Sequence, residues 1–517
     1  MNMAHVRRLA TLLASLLLAA RGAAAQEYWP GERWRTSSPE AQGMDSNALA
    51  DAFDYVREHR IPIHSLLIVR NGYVVLDAGF WPYQAGEPHD LASVTKSVTA
   101  TLAGIAIGRH ELSGVQQPVL AEFGRQDADP RKGRITVEHL LTMTSGLDCH
   151  YDHGEITLSQ MTHSADWAAF MLDLPMAYEP GAHYEYCSGG MHLLSALVSR
   201  ATGMSTLDFA RRELFGPLGI ERVQWPADPQ GIQHGWGDLH LLPQDMARIG
   251  YLWLHDGRWG ERQIVPAQWL RAATDVHSHP GFSEGQEYGY AMWVYPARQP
   301  PMYEGLGRGG QRISVVPGAN LVAVLTGGGF EPGDVGAFIG RALKSSDPLP
   351  PNPAAQARLA AAVQAAAQAP RPGAPGRLPD LAHALSGRVY GIEENPLGLD
   401  SLSLSFSRGA ATGALTLFLH DRRDGPRPIG LDGVPRLSPA GRFGLPVAVS
   451  GAWANDSTFA LDYDEVANIN DYSIVLQFSG DDMAVTLNER TGLLHDVHFA
   501  GKARPAVVGG GAPAARD

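Results

Sequence analysis

Cysteine is nearly absent. The two thiols in 517 residues, Cys149 and Cys187, exclude a disulfide-framework scaffold and a zinc site built from four thiolates. Lysine is almost as scarce, four among 41 basic side chains, and 54 acidic residues leave a formal net charge of −13. Basic blocks are missing, which argues against a phosphate backbone or an anionic lipid surface as partner, so no nucleic acid is expected. No apolar run reaches the roughly 20 residues that a membrane span requires. Disorder is excluded as a global state by a 44% hydrophobic content, ordinary for a globular chain. The length suggests two to four domains, each large enough to bury its own core.

The chain opens on an address. Met1 to Ala25 reads as a secretory signal peptide: Arg7 and Arg8, then LATLLASLLLAA, then Ala23-Ala24-Ala25 as a small-residue cleavage site before Gln26. Arg21 interrupts the apolar run, and no Cys stands at the cleavage point for lipid attachment. The expectation is a soluble mature protein, periplasmic or secreted. There, Cys149 and Cys187 either pair, closing a loop of about 38 residues worth ~3–4 kcal/mol, or remain two buried thiols.

After the leader, Asp45 opens a helix with Leu49, Phe53 and Val56 at helical spacing. HSLLIVR and YVVLDAG follow, split by Asn71-Gly72, a strong hairpin signal. From Ala92 the period is helical, with Val94, Val98, Leu102 and Ile105 on one face, and mostly helical sequence runs to about residue 275. Strand patterns return at YGYAMWVY, RISVVP and LVAVLTGG. Residues 346–377 are Pro/Ala-rich and read as a linker holding a short helix-capable Ala stretch. Beyond it, SLSLSFS, ALTLFLH, STFALDY, YSIVLQF, MAVTLNE and LLHDVHF alternate as strands do, with Phe406, Phe418, Tyr463 and Phe478 expected in their core. The expected units are therefore a leader (1–25), a main domain (26–345), a linker (346–377), a small β-domain (378–505) and a disordered tail (506–517).

Chemistry concentrates at Ser93-Val94-Thr95-Lys96. Three residues make about one helical turn, so hydroxyl and amine face the same way. A serine is a weak nucleophile until a neighbour removes its proton. A lysine does so only when burial or positive potential lowers its pKa. Chance alone supplies about a quarter of one such Ser/Lys pairing in a chain of this composition, so the apolar neighbours Leu91, Val94 and Val98 carry the argument for a buried lysine. A second element, EPGAHYEYCSGGMHLL, places Tyr186 and Ser188 before a helix; a tyrosine beside a lysine acts as a phenolate or as a proton relay. A third, GLGRGGQRISVVP, is a Gly-rich entry to a strand whose edge N–H could form half of an oxyanion hole with the N–H of Ser93. In the DCHYDHGE loop, Asp148, His150, Asp152 and His153 are donors zinc would accept, and Trp167 and Trp293 read either as pocket lining or as core.

In this order and spacing, the three elements resemble the serine β-lactamase and penicillin-binding superfamily, nearest its class C-like branch of esterases, D-aminopeptidases and 6-aminohexanoate-dimer hydrolases. The resemblance spans about residues 38–340 and includes HSLLIVRNGYVVL, LASVTKSVTATLAGIAIG, ITVEHLLTMTSGLDC and GDLHLLPQDMARIGYLWL. It implies an α/β (α+β) sandwich, an antiparallel sheet flanked by helices with a helical insert. The C-terminal region is similar to lipocalin-like appendages, a small antiparallel barrel or sandwich. The resemblance makes Ser93 the acylated nucleophile, Lys96 its partner and Tyr186 the tyrosine of Tyr-x-Asn. It sets Arg308-Gly309-Gly310 at the Lys-Thr-Gly or His-Gly-Gly position and gives Gln311 the second oxyanion N–H. Ser188 stands where β-lactamases use Asn, and Arg308 replaces Lys or His. The implied function is cleavage of small ester, amide or peptide substrates through a serine acyl-enzyme, without cofactor or metal. The rivals are a β-lactamase or D-Ala-D-Ala carboxypeptidase, and a non-catalytic peptidoglycan-binding sensor.

Overall fold

The computed structural model describes residues 28–31, 33–151, 155–330, 333–420 and 422–505. The expected signal peptide and disordered tail lie outside the described residues. Helix α1 (Ser46–His59) begins where Asp45 Oδ1 accepts the N–H of Asn47 at 2.9 Å, and buries Leu49, Phe53 and Val56. Strands β2 (Ile63–Arg70) and β3 (Tyr73–Gly79) form the expected hairpin. Asn71 and Gly72 both adopt positive φ, 51° and 81°, as a tight two-residue turn requires.

The main sheet has eight strands. Besides β2 and β3 these are β1 (Arg35–Thr36), β4 (Glu287–Tyr288), β5 (Trp293–Tyr295), β6 (Met302–Gly307), β7 (Gln311–Val316) and β8 (Leu321–Gly327). Their spatial order is β1-β3-β2-β8-β7-β6-β5-β4. Pairing is antiparallel except between β1 and β3, which run parallel, so the sheet is mixed at that edge. Central strands are buried on both faces, and residue parity decides the direction. Leu66 and Ile68 of β2, with Leu321, Ala323 and Leu325 of β8, face α1, α5 (Gly333–Ala342) and α6 (Pro353–Ala366). Leu67, Val69, Val322 and Val324 face the larger core. That core holds α2 (Val94–Gly108), α3 (Ser188–Thr202) and α4 (Pro243–Leu254).

Within the Pro/Ala-rich stretch, α6 is a packed element of the main domain. It buries Ala355 and Leu359 and ties Arg358 to Asp51 and Asp54 of α1 at 2.7 and 2.6 Å. Asn352 caps it and Pro353 occupies its first turn, a favourable start.

The C-terminal strands are β9 (Val389–Ile392), β10 (Leu399–Ser405), β11 (Thr412–Leu419), β12 (Arg423–Gly430), β13 (Arg436–Ser438), β14 (Val447–Trp453), β15 (Thr458–Asp464), β16 (Asp471–Ser479), β17 (Asp482–Glu489) and β18 (Val497–Ala503). Neighbouring strands pair antiparallel, and Gly430↔Ser450 joins β12 to β14 to close a barrel, with β13 appended to β14. One half of the lumen is filled by Phe406, Phe459, Phe478 and Trp453. The other half is a cavity of about 270 Å³ lined mainly by leucines. Phe418 departs from expectation. Alternation along β11 gives Leu415, Leu417 and Leu419 to the lumen and turns Phe418 outward, under the Arg423 guanidinium at 5.7 Å. Of LLHDVHF only the end belongs to a strand, because β18 begins at Val497 and leaves Leu493 exposed.

Candidate active site

The Ser93 segment is set by a local turn. His89–Asp90 pairs with His240–Leu241. The Asp90 carboxylate then accepts the Ala92 N–H at 2.8 Å while Ala92 adopts a φ of 45°. A non-glycine residue in that region costs about 1–3 kcal/mol, strain of the kind that collects at functional sites. The turn delivers Ser93 to the N-cap of α2, partly exposed, with its backbone N–H unengaged among the described residues.

One turn on, Lys96 is only 2% exposed. Its Nζ donates to Ser93 Oγ at 2.8 Å and to the carbonyl of Trp236 at 3.1 Å. Burial lowers its pKa from 10.5 to about 8, against the opposing pull of Glu155 and Asp238. At that value a usable fraction of the amine is free base near neutral pH, with its lone pair available to Ser93.

Tyr186 completes the cluster. Its ring lies under Lys96 Nζ, 4.8 Å from the centroid, and the residue is 9% exposed. Burial, then the phenols and carboxylate around it (Tyr288, Glu155, Tyr151), hold its hydroxyl well above the ordinary value, outweighing its hydrogen bond with Ser93. The phenolate option therefore gives way to a neutral phenol able to pass a proton. The neighbouring Cys187 is bonded to Cys149, with Cα atoms 5.6 Å apart, which pins the Tyr186 segment to the strand-like stretch after Met143. Ser188 opens α3, buried, and its Oγ has no hydrogen-bond partner among the described residues.

The Gly-rich turn lies close to Ser93 through Gly307. A Cβ there would stand 3.0 Å from Ser93 N and 2.9 Å from Ala92 Cβ, so only glycine permits the approach. Gly309 and Gly310 have φ of 81° and 102°. The side chains of the flanking residues do not enter the site. Gln311 is buried, its amide bonded to the carbonyls of Arg308 (3.0 Å) and Gly327 (2.7 Å) and to the Gly327 N–H (3.0 Å). Arg308 turns to the barrel, where Nη2 donates to Asn470 Oδ1 at 2.9 Å and Nη1 to Glu489 Oε1 at 3.4 Å and to the Thr491 hydroxyl. The guanidinium of Arg308, expected beside the substrate, is bonded to groups more than 160 residues away in sequence.

Residues the sequence did not single out surround the cluster. Trp236 supplies the carbonyl that holds Lys96, and Asp238 pairs with His234 at 2.7 Å. Trp236 directly precedes the GDLHLL block, so that block was the available signal. Trp293 stacks near Tyr186 with centroids 6.5 Å apart, while Trp167 packs behind the site against Trp236, His192 and His234. Tyr151 (37% exposed) and Phe282 (52% exposed) continue the rings outward from Tyr186 and Trp293. Asp148 lies 3.2 Å from His150; Asp152 and His153 are outside the described residues. Among the described residues, no three His, Cys, Asp or Glu side chains cluster as a metal would require.

Comparison with known proteins places the chain among hydrolases of one fold. Esterase EstB of Burkholderia gladioli is 30% identical over 209 residues, 35% of this chain and 53% of EstB, so the chain spans about half of that relative. The 6-aminohexanoate-dimer hydrolase of Paenarthrobacter ureafaciens is 24% identical over 286 residues, 50% of this chain and 71% of that protein. A solved 6-aminohexanoate-dimer hydrolase-like structure from Bacillus anthracis superposes with a TM-score of 0.52 at 19% identity, covering 60% of this chain and 86% of its own. At that identity the likeness concerns the fold alone. The Beta-lactamase family model matches residues 40–345, more than half of the chain, and on that match the protein belongs to the β-lactamase family of serine hydrolases.

Proposed function

We propose that the protein is a secreted or periplasmic serine hydrolase that cleaves small, uncharged esters or amides through an acyl-enzyme on Ser93. The observation that carries this reading is the 2.8 Å contact between Ser93 Oγ and the buried amine of Lys96, whose pKa lies near 8. Neutral Lys96 accepts the Ser93 proton as Oγ attacks the substrate carbonyl. The carbonyl oxygen becomes an oxyanion facing the free N–H of Ser93 and a backbone N–H of the turn at residues 307–311. Each such donor is worth ~10²–10³ in rate. Tyr186, a neutral phenol, passes the proton from Lys96 to the departing alcohol or amine. Water then attacks the acyl carbon, giving up its proton by the reverse route, and the acid leaves as Ser93 is restored.

Two features favour esters and simple amides over β-lactams and peptide C-termini. Arg308 is engaged by the barrel, so its cation is not offered to a substrate carboxylate. Ser188 is shorter than the asparagine of β-lactamases and less able to reach a lactam carbonyl. The exposed rings of Tyr151 and Phe282 offer an apolar ledge for an acyl or alcohol group. The activities borne in the names of EstB and the 6-aminohexanoate-dimer hydrolase are consistent with this choice.

The test is active-site labelling with a fluorophosphonate, together with a panel of p-nitrophenyl esters, D-amino-acid amides and nitrocefin. Labelling lost in Ser93→Ala, with ester or amide turnover far exceeding nitrocefin turnover, supports the proposal. An unlabelled wild-type protein refutes it in favour of a sensor, and dominant nitrocefin turnover refutes the substrate assignment.

A further inference from the structure

The C-terminal barrel meets the hydrolase domain at the segments that build the site. The barrel loop at residues 465–470, between β15 and β16, makes four of these contacts. The Ala467 carbonyl accepts the N–H of Asp90 at 2.8 Å, immediately before the turn into Ser93. Asn468 Oδ1 bonds His240 Nε2 at 3.1 Å, in the strand paired with His89–Asp90. Ile469 packs so closely on Gly309 that a Cβ there would sit 2.4 Å from its Cγ2. Asn470 accepts from Arg308. Elsewhere on the barrel, Glu489 and Thr491 hold the other arm of Arg308, and the Phe443 ring lies edge-on to His240 at 4.8 Å.

The bonds to Asp90, His240 and Arg308 are hydrogen bonds, which makes them directional. The Glu489 side chain is 1% exposed, and it accepts from Arg308, from the hydroxyl and N–H of Thr491 and from the N–H of Leu493. Arg308 itself is 31% exposed, so removing a partner costs little desolvation but frees the guanidinium from the one orientation that the set holds. The geometry it holds is that of the turn beginning at Gly307, where an added Cβ would stand 3.0 Å from Ser93 N. All of the barrel groups involved lie beyond residue 345, outside the segment that matches the family.

We propose that the barrel is a working part of the active site. Asn470, Glu489 and Thr491 are positioning residues that act through Arg308 to fix the 307–311 turn against Ser93. The inference rests on the reading of Ser93 as nucleophile. A misplacement of about 1 Å in such a turn costs on the order of 10² in rate.

The experiment uses the full chain and compares Arg308→Ala, Asn470→Ala, Thr491→Ala, the Arg308→Ala/Asn470→Ala double variant and the conservative Asn470→Asp. It reads kcat and KM on a p-nitrophenyl ester, the fluorophosphonate labelling rate, and thermal unfolding. Expected are kcat and labelling rates lowered about ten- to hundredfold in Arg308→Ala and Asn470→Ala, with KM within about threefold. The double variant should be no slower than the worse single one, because both remove the same link. Asn470→Asp keeps an acceptor for Arg308 but sets a carboxylate against Glu465, to which the Asn470 amide donates at 3.2 Å, so it should recover only part of the rate, and Thr491→Ala, which deletes only a hydroxyl, should slow labelling while melting as wild type does. Wild-type rates in the folded variants, or losses that add in the double variant and follow the melting temperature, overturn the proposal while leaving Ser93 as nucleophile. If wild-type protein is not labelled at all, both readings fall together.

Discussion

Replacing Lys96 by Met tests the electrostatic core of the mechanism, because the same burial that prepares the amine for catalysis must destabilise the fold. An amine that titrates near 10.5 when exposed and near 8 in place is about one-tenth free base at pH 7, some 300-fold more than an unperturbed lysine. The difference corresponds to about 3 kcal/mol of preference for the neutral form. Because the folded-state pKa lies below the unfolded value, the unfolded chain binds more protons between about pH 8 and 10.5. Wild-type stability therefore rises through that window relative to Lys96→Met, and the penalty is full below pH 8. From pH 7 to 10 the wild type should gain between about 2 and 3 kcal/mol on the variant. The offset between the curves is set by the two bonds to Ser93 and Trp236, each worth about 1 kcal/mol. Urea unfolding of both proteins at pH 7, 8, 9 and 10 measures the gap. The wild-type kcat/KM should rise with a midpoint near pH 8 and level off above it, while Lys96→Met should lose about 10³-fold or more. Parallel stability curves from pH 7 to 10 would refute the reasoning, since they would mean that the amine is not held neutral by burial.

Other changes probe the parts around this pair. Tyr186→Phe should lower kcat by about 10²–10³ and leave the pH 8 limb in place, because the phenol is held well above its ordinary range and does not titrate there; a limb that moves would return the phenolate role to Tyr186. Gly307→Ala puts a methyl carbon 3.0 Å from Ser93 N and should cost about 10²–10³ in labelling rate with the melting temperature lowered by only a few degrees; unchanged labelling would remove the turn from the oxyanion site. Opening the Cys149–Cys187 bridge in Cys149→Ser/Cys187→Ser frees a 38-residue loop and should cost about 4 kcal/mol in urea unfolding. The loss of rate should exceed that of a reduced but still folded surface control, since the bridge abuts Tyr186.

The part of the site that was legible in the sequence is the part that is local in the chain. Ser93 and Lys96 are a helical turn apart, and apolar residues at Val94 and Val98 announce that the turn is buried, so spacing and environment come from the same few letters. The Asn71-Gly72 hairpin and the alternating barrel strands are local for the same reason. Strands β9, β12, β13 and β14 were not among the expected ones; β12 carries Pro426 and Pro428, which a ladder tolerates only at an edge or an irregularity, and it lies near the barrel's closure, where its partner register is irregular between Leu415 and Leu417. Gln311 shows how backbone and side chain separate: a residue placed correctly beside the turn spends its amide on the carbonyl of a neighbouring strand.

Arg308 shows where local reading stops. Its charge and its place after Gly307 are plain in the sequence, and a cation beside a nucleophile suggests a ligand for an anionic substrate. What decides its role is the identity of its nearest acceptors, and those sit on a different domain, 162 and 181 residues further on. Opposite charges and amides pair over such separations only through the fold, so composition around Arg308 carries no trace of Glu489 or Asn470. Once paired, the guanidinium changes function: its five donors are directional enough to clamp a loop, whereas a lysine at the same place would supply charge without a fixed orientation. An arginine rather than a lysine at this position is what a barrel-anchored turn requires, and on the proposal above its partners lie in the barrel, beyond the residues that the family model matches.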